Sequence, residues 1–181
     1  MYRKFFGLQD PPFSVNPDPR FLFHTRDTEE ALACMRYGIE QRRGFVQLTG
    51  EVGTGKTTLL NQLLGWLREE RVATAFIFYP RLTVVQFLDV MMADFGIGCA
   101  SRQKSRVLLR LNDWLLERYR AGQTAVLIVD EAQTVSHGVL EEIRLLTNLE
   151  TASEKLLQIV LSGQPELEHK LNQPHLRQLR Q

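Results

Sequence analysis

Cysteine is scarce in this chain of 181 residues. Only Cys34 and Cys99 occur, and neither has a second cysteine nearby. Two isolated cysteines supply neither a disulfide framework nor the ligands of a structural metal site. We therefore expect a protein of a reducing compartment, which favours the cytoplasm.

The sequence also lacks an excess of either charge and any long apolar run. Its formal net charge is +1, so overall charge predicts neither a nucleic acid nor a membrane partner. No segment is long and apolar enough to act as a signal peptide or to span a bilayer. We expect no membrane segment within this chain.

Internal repeats and low-complexity segments are absent as well. Hydrophobic residues make up 44% of the chain and charged residues 24%, which excludes disordered and fibrous classes. The length suits one globular domain. Four prolines within residues 10–20 exclude regular helix there. We expect an extended N-terminal arm over residues 1–27, packed on a core over residues 28–181.

Apolar runs and helical periodicities alternate along the core. Short apolar segments predict strands at residues 45–49, 72–79, 124–129 and 156–161. Apolar residues at helical spacing predict helices at residues 28–41, 82–95 and 139–150, with two more through 59–67 and 107–115. Strands with continuous apolar runs are typical of a sheet covered on both faces. The fold class is therefore α/β, with three layers around a mainly parallel central sheet.

A glycine-rich segment follows the first predicted strand and opens a helix. It runs from Gly50 to Thr57 and matches GxxxxGK followed by Ser or Thr. Its glycines allow backbone amides to surround an anion, and the helix N-terminus adds positive dipole. Lys56 is predicted to contact the β and γ phosphates of a nucleotide, and Thr57 to ligate Mg²⁺. The predicted nucleotide-contacting residues are Gly50, Glu51, Val52, Gly53, Thr54, Gly55, Lys56, Thr57 and Thr58.

Two carboxylates end the third predicted strand. Asp130 and Glu131 follow the apolar run Val126–Val129, at the edge of the sheet where ligands bind in open α/β folds. We predict that Asp130 holds Mg²⁺ and that Glu131 activates the water that attacks the γ phosphate. The alternative is a solvated strand end. Together with the glycine-rich segment, the pair predicts a P-loop ATPase.

Segments spread over nearly the whole chain resemble the ExeA family, which comprises general secretion pathway protein A and its relatives among the AAA+ ATPases. The resembling segments are YRKFFGL at 2–8, PF at 12–13, NPDPRFLF at 16–23, EAL at 30–32, LTGEVGTGKTT at 48–58, VDEAQ at 129–133, LLTNLET at 145–151 and QIVLSGQPEL at 158–167. The resemblance implies a nucleotide-dependent homo-oligomer that drives assembly of a secretion, pilus or exopolysaccharide envelope system. It also implies a C-terminal lid beyond this chain, and a place at the inner face of the cytoplasmic membrane through partners or further regions.

The resemblance also implies roles for residues near the end of the last strand. Gln164 is expected to sense the γ phosphate, with Ser162 as the rival and a turn-capping glutamine as the alternative. Many AAA+ proteins carry a polar residue at the end of the second strand that restrains the catalytic glutamate. Tyr79 stands there in this sequence. A gating contact from that position is therefore not expected.

Further expectations concern the two ends of the chain. Arg177 or Arg180 is expected to act as an arginine finger toward a neighbouring subunit, the alternative being a solvated basic helix face. Pro17 and Phe21 are expected to lie against adenine, the alternative being plain packing.

Two other functions compete with an envelope ATPase. One is an AAA+ regulator of DNA transposition, for which a basic face would contain Arg102, Lys104, Arg106 and Arg110. The other is a nucleotide-gated scaffold that binds ATP and hardly hydrolyses it. No motif that reads the base, such as NKxD, decides between ATP and GTP.

Overall fold

Four parallel strands form the centre of the computed structural model, which describes residues 5–7, 25–101, 103–173 and 176. The strands are β1 (Phe45–Thr49), β2 (Ala73–Ile77), β3 (Ala125–Val129) and β4 (Leu157–Gly163). Their order in the sheet is β1-β4-β3-β2, and each neighbouring pair is parallel. Among the described strands, β4 is the last along the chain, yet it lies between β1 and β3.

Six helices and one short 3₁₀ turn surround the sheet in the described part of the chain. They are α1 (Arg26–Glu40), α2 (Lys56–Glu69), α3 (Val84–Asp94), α4 (Lys104–Arg120), the 3₁₀ turn (Ala132–Thr134), α5 (His137–Leu146) and α6 (Glu166–Leu171). None of the described helices is both long enough and apolar enough to cross a membrane.

Alternation along the strands divides the core into two apolar clusters. Val126, Ile128 and Val160 pack with α1 and α2 on one face of the sheet. Leu127 and Val129, together with the other strand positions of their parity, pack with α3, α4, α5 and α6 on the opposite face. Successive side chains of a strand point to opposite faces, so both faces bury apolar area. The predicted three-layer α/β fold is confirmed.

The helix α1 begins two residues before its predicted start. Thr25 and Thr28 form reciprocal side-chain to backbone hydrogen bonds, at 3.2 Å and 2.8 Å, across the first turn. Such a capping box satisfies two amides that a helix N-terminus leaves without partners. The cap therefore fixes the helix start at Arg26.

The helix predicted to reach Glu150 ends at Leu146, so that prediction is wrong at its C-terminal end. The amide of Leu156 donates to the carbonyl of Leu149 at 2.9 Å, and Glu150 pairs with Lys155 in an isolated antiparallel bridge. The chain must turn back to enter β4, and these hydrogen bonds satisfy its backbone where a helix would lead it away.

Two strand boundaries also differ from the prediction. The strand β2 ends at Ile77, whose carbonyl accepts the amide of Asp130 at 3.0 Å, and Tyr79 lies beyond it. Pairing stops there because β3 ends at the same level and β2 has no other described neighbour. In contrast, β4 continues to Gly163 because β1 still pairs with it, through Thr49 opposite Gly163.

One glycine marks the close contact between α1 and β1. A Cβ at Gly38 would lie 2.6 Å from Cγ2 of Val46, whereas a Cβ at Gly65 in α2 would meet nothing within 4 Å. We expect Gly38→Ala to lower the free energy of unfolding by about 1–2 kcal/mol, because overpacking outweighs the gain in helix propensity. Gly65→Ala is the matched control and should raise it by about 0.5–1 kcal/mol. Urea unfolding measures both, and equal signs would contradict the close contact.

Candidate nucleotide-binding and hydrolysis site

The loop between β1 and α2 has a backbone that requires glycine. Gly53 and Gly55 have φ angles of +83° and +86°, in the left-handed region that other residues rarely adopt. A Cβ at Gly50 would lie 2.9 Å from Oγ1 of Thr54, and that hydroxyl donates to the carbonyl of Glu51 at 2.8 Å. The glycines therefore allow the loop to curl back on itself as a concave turn.

The N-terminus of α2 opens into this turn. The first backbone bond that closes a helical turn runs from the amide of Leu59 to the carbonyl of Gly55 at 3.0 Å. The amides of Lys56, Thr57 and Thr58 precede it and have no acceptor within the helix. Gly55 provides no side-chain cap, and the first turn contains no acidic residue. These amides and the helix dipole favour an anion such as phosphate.

Lys56 places the ammonium group beside the turn. The residue is 9% exposed, and its Nζ donates to the carbonyls of Gly50 and Glu51 at 2.8 Å each. A buried ammonium needs such partners to offset its desolvation. The cation is thus held against the loop, in a position that suits an anionic phosphate chain.

Asp130 and Thr57 bring two oxygen ligands together from different elements. Asp130 follows β3 on the α2 side of the sheet and is 5% exposed. Its Oδ2 accepts from Thr57 Oγ1 at 3.3 Å, and its Oδ1 accepts the amide of Glu131 at 2.9 Å. A carboxylate beside a hydroxyl is a donor set that suits Mg²⁺, which prefers hard oxygen ligands and retains water. The residues present therefore fit this metal ion.

Glu131 turns away from Asp130 because its backbone is left-handed, with φ at 51°. The amide and the hydroxyl of Thr134 both donate to the carbonyl of Glu131 at 2.9 Å. A left-handed non-glycine residue costs roughly 1–2 kcal/mol, so these bonds hold a conformation that the chain alone would avoid. Two adjacent carboxylates consequently face different surroundings, as two distinct roles require.

No role for Gln133 follows from the sequence alone, yet this residue holds the Glu131 carboxylate. Its Nε2 donates to Glu131 Oε2 at 2.5 Å, and its Oε1 accepts the amide of Gln164 at 3.1 Å. A Cβ at Gly163 would lie 2.7 Å from that Oε1. The only signal in the sequence is an amide side chain two residues after the glutamate.

Ser162 and Gln164, the rival sensor residues, both lie at the end of β4. Ser162 is completely buried on the α2 side of the sheet, and its Oγ has no hydrogen-bond partner among the described residues. Gln164 follows the strand and is partly buried, and its amide bonds to Gln133. Both residues therefore lie at the end of the strand that separates the phosphate loop after β1 from the acidic pair after β3. The choice between them stays a prediction.

Tyr79 takes no part in restraining Glu131 through a described hydrogen bond. It is 70% exposed and lies beyond β2. It lines an open pocket of about 320 Å³ whose other lining residues are Phe78, Pro80, Arg81, Glu131 and Thr134. The polar contact to Glu131 comes instead from the opposite side, next to β4. Pro17, Phe21, Arg177 and Arg180 lie outside the described residues, so their predicted roles stay predictions.

Comparison with known proteins agrees with this arrangement. Residues 39–171 match the AAA domain family. The chain is 48% identical over 182 aligned residues to general secretion pathway protein A of Aeromonas hydrophila. That alignment covers the whole of this chain and 33% of the relative, so the chain spans about a third of that protein.

Solved structures with low sequence identity share the fold. Cdc6p of Pyrobaculum aerophilum has a TM-score of 0.68 at 20% identity, over 93% of this chain and 45% of that one. The ORC2 protein of Aeropyrum pernix in its ADP form has a TM-score of 0.63 at 15% identity, over 99% and 50%. With its phosphate loop, acidic pair and family match, the chain belongs to the AAA domain family, in the ExeA group of AAA+ ATPases.

Proposed function

We propose that this chain binds ATP with Mg²⁺ and hydrolyses the β–γ phosphoanhydride bond. One observation carries the proposal. Lys56 and Thr57 at the start of α2 lie at the same edge of the sheet as Asp130 and Glu131 at the end of β3, and the contact between Thr57 and Asp130 joins the two elements. This arrangement supports the proposal, because a phosphate-binding loop, a cation and two carboxylates meet at one edge of the sheet.

In the proposed reaction, a water oxygen attacks the γ phosphorus, and the bond to the β–γ bridging oxygen breaks. Glu131 accepts the proton of the attacking water, and the electron pair of the broken bond leaves with ADP. Lys56 neutralises charge on the β and γ phosphate oxygens. The products are ADP, phosphate and a proton that the carboxylate returns to solvent.

Thr57 and Asp130 would hold the metal ion, Asp130 through water. A magnesium ion held by these residues would supply positive charge that offsets the charge of the phosphate chain. Gln164 or Ser162 would report loss of the γ phosphate, while Pro17 and Phe21 would contact adenine. Among nucleotides, ATP is proposed on the family match, since the sequence contains no motif that reads the base.

The experiment that tests this proposal is steady-state phosphate release by the purified chain with ATP and Mg²⁺. We expect release well above the protein-free rate, with dependence on both ATP and Mg²⁺. Tight ATP binding without release above that rate would contradict hydrolysis and leave the nucleotide-gated scaffold as the function.

For the biological role, we propose that hydrolysis drives assembly of a secretion, pilus or exopolysaccharide system at the inner face of the cytoplasmic membrane. The support is the 48% identity to a general secretion pathway protein. The identity to a secretion protein does not favour the alternative function, regulation of DNA transposition. Part of the basic face is also used internally, because Lys104 forms an ion pair with Glu142, which is 2% exposed. Arg102 lies outside the described residues.

We also propose that the active chain is a homo-oligomer in which Arg177 or Arg180 reaches a neighbour's nucleotide. Lys56→Ala and the double change Arg177→Ala with Arg180→Ala should each be inactive alone. Mixed together, they should recover part of the wild-type phosphate release, because a Lys56→Ala neighbour still presents its arginines to the intact loop of the other chain. Phosphate release measured against mixing ratio checks this.

The control for this mixture is each variant alone at the same total protein concentration. Phosphate release from these single-variant samples should stay at background. Background release from the true mixture, once mixed oligomers are demonstrated by sedimentation, would contradict a finger that acts between subunits.

A further inference from the structure

We propose that Gln133 is a positioning residue that holds the Glu131 carboxylate in place for attack on the γ phosphate. The inference rests on the proposed hydrolysis. Its basis is the pair of side-chain hydrogen bonds that Gln133 makes, from Nε2 to Glu131 Oε2 at 2.5 Å and from the Gln164 amide to Oε1 at 3.1 Å. Both polar ends of one amide are therefore occupied, one by the candidate base and one by the backbone after β4.

The two partners of Gln133 fix the orientation of its amide. The carboxylate of Glu131 can only accept, whereas the backbone amide of Gln164 can only donate. A flipped amide would place its oxygen against Glu131 and its NH₂ against the Gln164 amide, so both contacts would become repulsive. Only one orientation is satisfied, and in it the NH₂ group faces the carboxylate.

The backbone of Gln133 is anchored as firmly as its side chain. Lys170 on α6 donates from Nζ to the carbonyl of Gln133, and also to the carbonyl of Val135 at 3.2 Å. On the other side lies Gly163, where a Cβ would come within 3.2 Å of the Gln133 amide nitrogen. The residue is thus held between α6 and the end of β4, so it gives Glu131 a fixed partner.

Without the hydrogen bond from Gln133, the Glu131 side chain could adopt other conformations. A glutamate has several rotatable bonds, and the residue is only partly buried. Glu131 also lines the pocket on the β2 side, which contains the exposed cation Arg81. An ion pair with Arg81 would draw the base toward β2. The bond to Gln133 favours the β4 side, next to the strand that leads to both candidate sensors.

The contact also ties Glu131 to the backbone beside those sensors. The amide of Gln164 bonds to the Gln133 side chain, and the preceding residue, Gly163, lies so near that an added Cβ would be 2.7 Å from Gln133 Oε1. A displacement of residues 163–164 when the γ phosphate leaves would therefore act on the Glu131 carboxylate through a single side chain. Gln133 supplies the restraint that Tyr79 does not.

Two substitutions separate the contacts of Gln133. Gln133→Met keeps the length and removes both hydrogen bonds, while Gln133→Glu keeps an acceptor for the Gln164 amide and places a repelling oxygen against Glu131. We expect kcat to fall at least about tenfold in both variants, with the Kd for ATP within about threefold of wild type. Gln103→Met is the matched control, since Gln103 is exposed and its side chain does not cap α4. It should leave kcat unchanged.

A double-mutant cycle tests whether Gln133 acts through Glu131. In a Glu131→Gln background, we expect Gln133→Met to change the residual rate by less than about twofold, because the carboxylate to be positioned is gone. A tenfold loss in both backgrounds would show a general structural effect and overturn the inference. Wild-type kcat in Gln133→Met and Gln133→Glu would overturn it while leaving the proposed hydrolysis intact. A wild-type chain that releases no phosphate would overturn both.

Discussion

Lys56→Ala should lower the affinity for ATP at least about a hundredfold, which corresponds to about 2.8 kcal/mol. The ammonium is 9% exposed and lies against the phosphate loop, where it donates to the carbonyls of Gly50 and Glu51. A charge held in so little water interacts strongly with phosphate oxygens, and alanine offers nothing in its place. Titration calorimetry with ATP and Mg²⁺ measures the loss.

Arg68→Ala is the matched control for this change. Arg68 is an exposed cation in the last turn of the same helix, at the end away from the loop. Its removal should leave ATP affinity within about threefold of wild type. Thermal unfolding gives an independent reading, because a ligand at a hundred times its Kd stabilises the fold by about 2.7 kcal/mol. If Lys56→Ala gained as much stability from ATP as wild type does, the phosphate-loop assignment would be wrong.

Glu131→Gln should slow hydrolysis at least about a hundredfold while ATP still binds with Mg²⁺. The amide keeps the shape of the side chain but is far too weak a base to accept a proton from water. The backbone bonds from Thr134 to the carbonyl of residue 131 remain, so the left-handed turn should persist. Single-turnover phosphate release and ATP titration, measured on the same preparation, separate chemistry from binding.

Asp130→Asn is the informative comparison for this variant. Asp130 contacts the hydroxyl of Thr57, a second proposed metal ligand. Asp130→Asn should therefore lower the affinity for Mg²⁺, whereas the proton acceptor Glu131 stays in place. Glu69→Gln, an exposed carboxylate at the end of α2, should change neither property. Equal loss of Mg²⁺ affinity in Asp130→Asn and Glu131→Gln would contradict the division of roles between the two acids.

The parts of the site that are local in sequence could be predicted without a structure. The phosphate loop is eight consecutive residues between an apolar strand and a helix. Its glycines, lysine and threonine are the residue types expected to contact phosphate and Mg²⁺, so the motif can be recognised from sequence alone. The acidic pair is equally local, because it directly follows an apolar strand. The continuous apolar runs of the strands also predicted that helices cover both faces of the sheet.

The contacts that depend on strand order could not be predicted. The bond between Gln133 and the Gln164 amide spans 31 residues and exists because β4 lies beside β3. Nothing in the local pattern around residue 133 specifies that neighbour. The early end of α5 has the same origin, because the return of the chain to β4 overrides the helical periodicity that continues to Glu150.

The strand order β1-β4-β3-β2 also determines when the sheet can form during synthesis, because β1 pairs with a strand that is synthesised much later. The strand β1 pairs only with β4 in the described sheet, and the bond from the Gly44 amide to the Gln158 side chain joins residues 114 positions apart. Contacts so distant in sequence are slow to form, because a long loop must close first. At a synthesis rate of about 5–20 residues per second, roughly 6–23 s separate the emergence of the two strands.

During that interval the nascent chain contains β1 and the phosphate loop that follows it, but not yet β4, with which β1 pairs. The amide of Gly50 bonds to the carbonyl of Gly163, so the loop itself is anchored only after β4 arrives. An unpaired apolar strand such as β1 is a template for wrong pairing between nascent chains. Nucleotide should therefore bind this protein after translation of β4, and factors that shield nascent chains should raise its soluble yield.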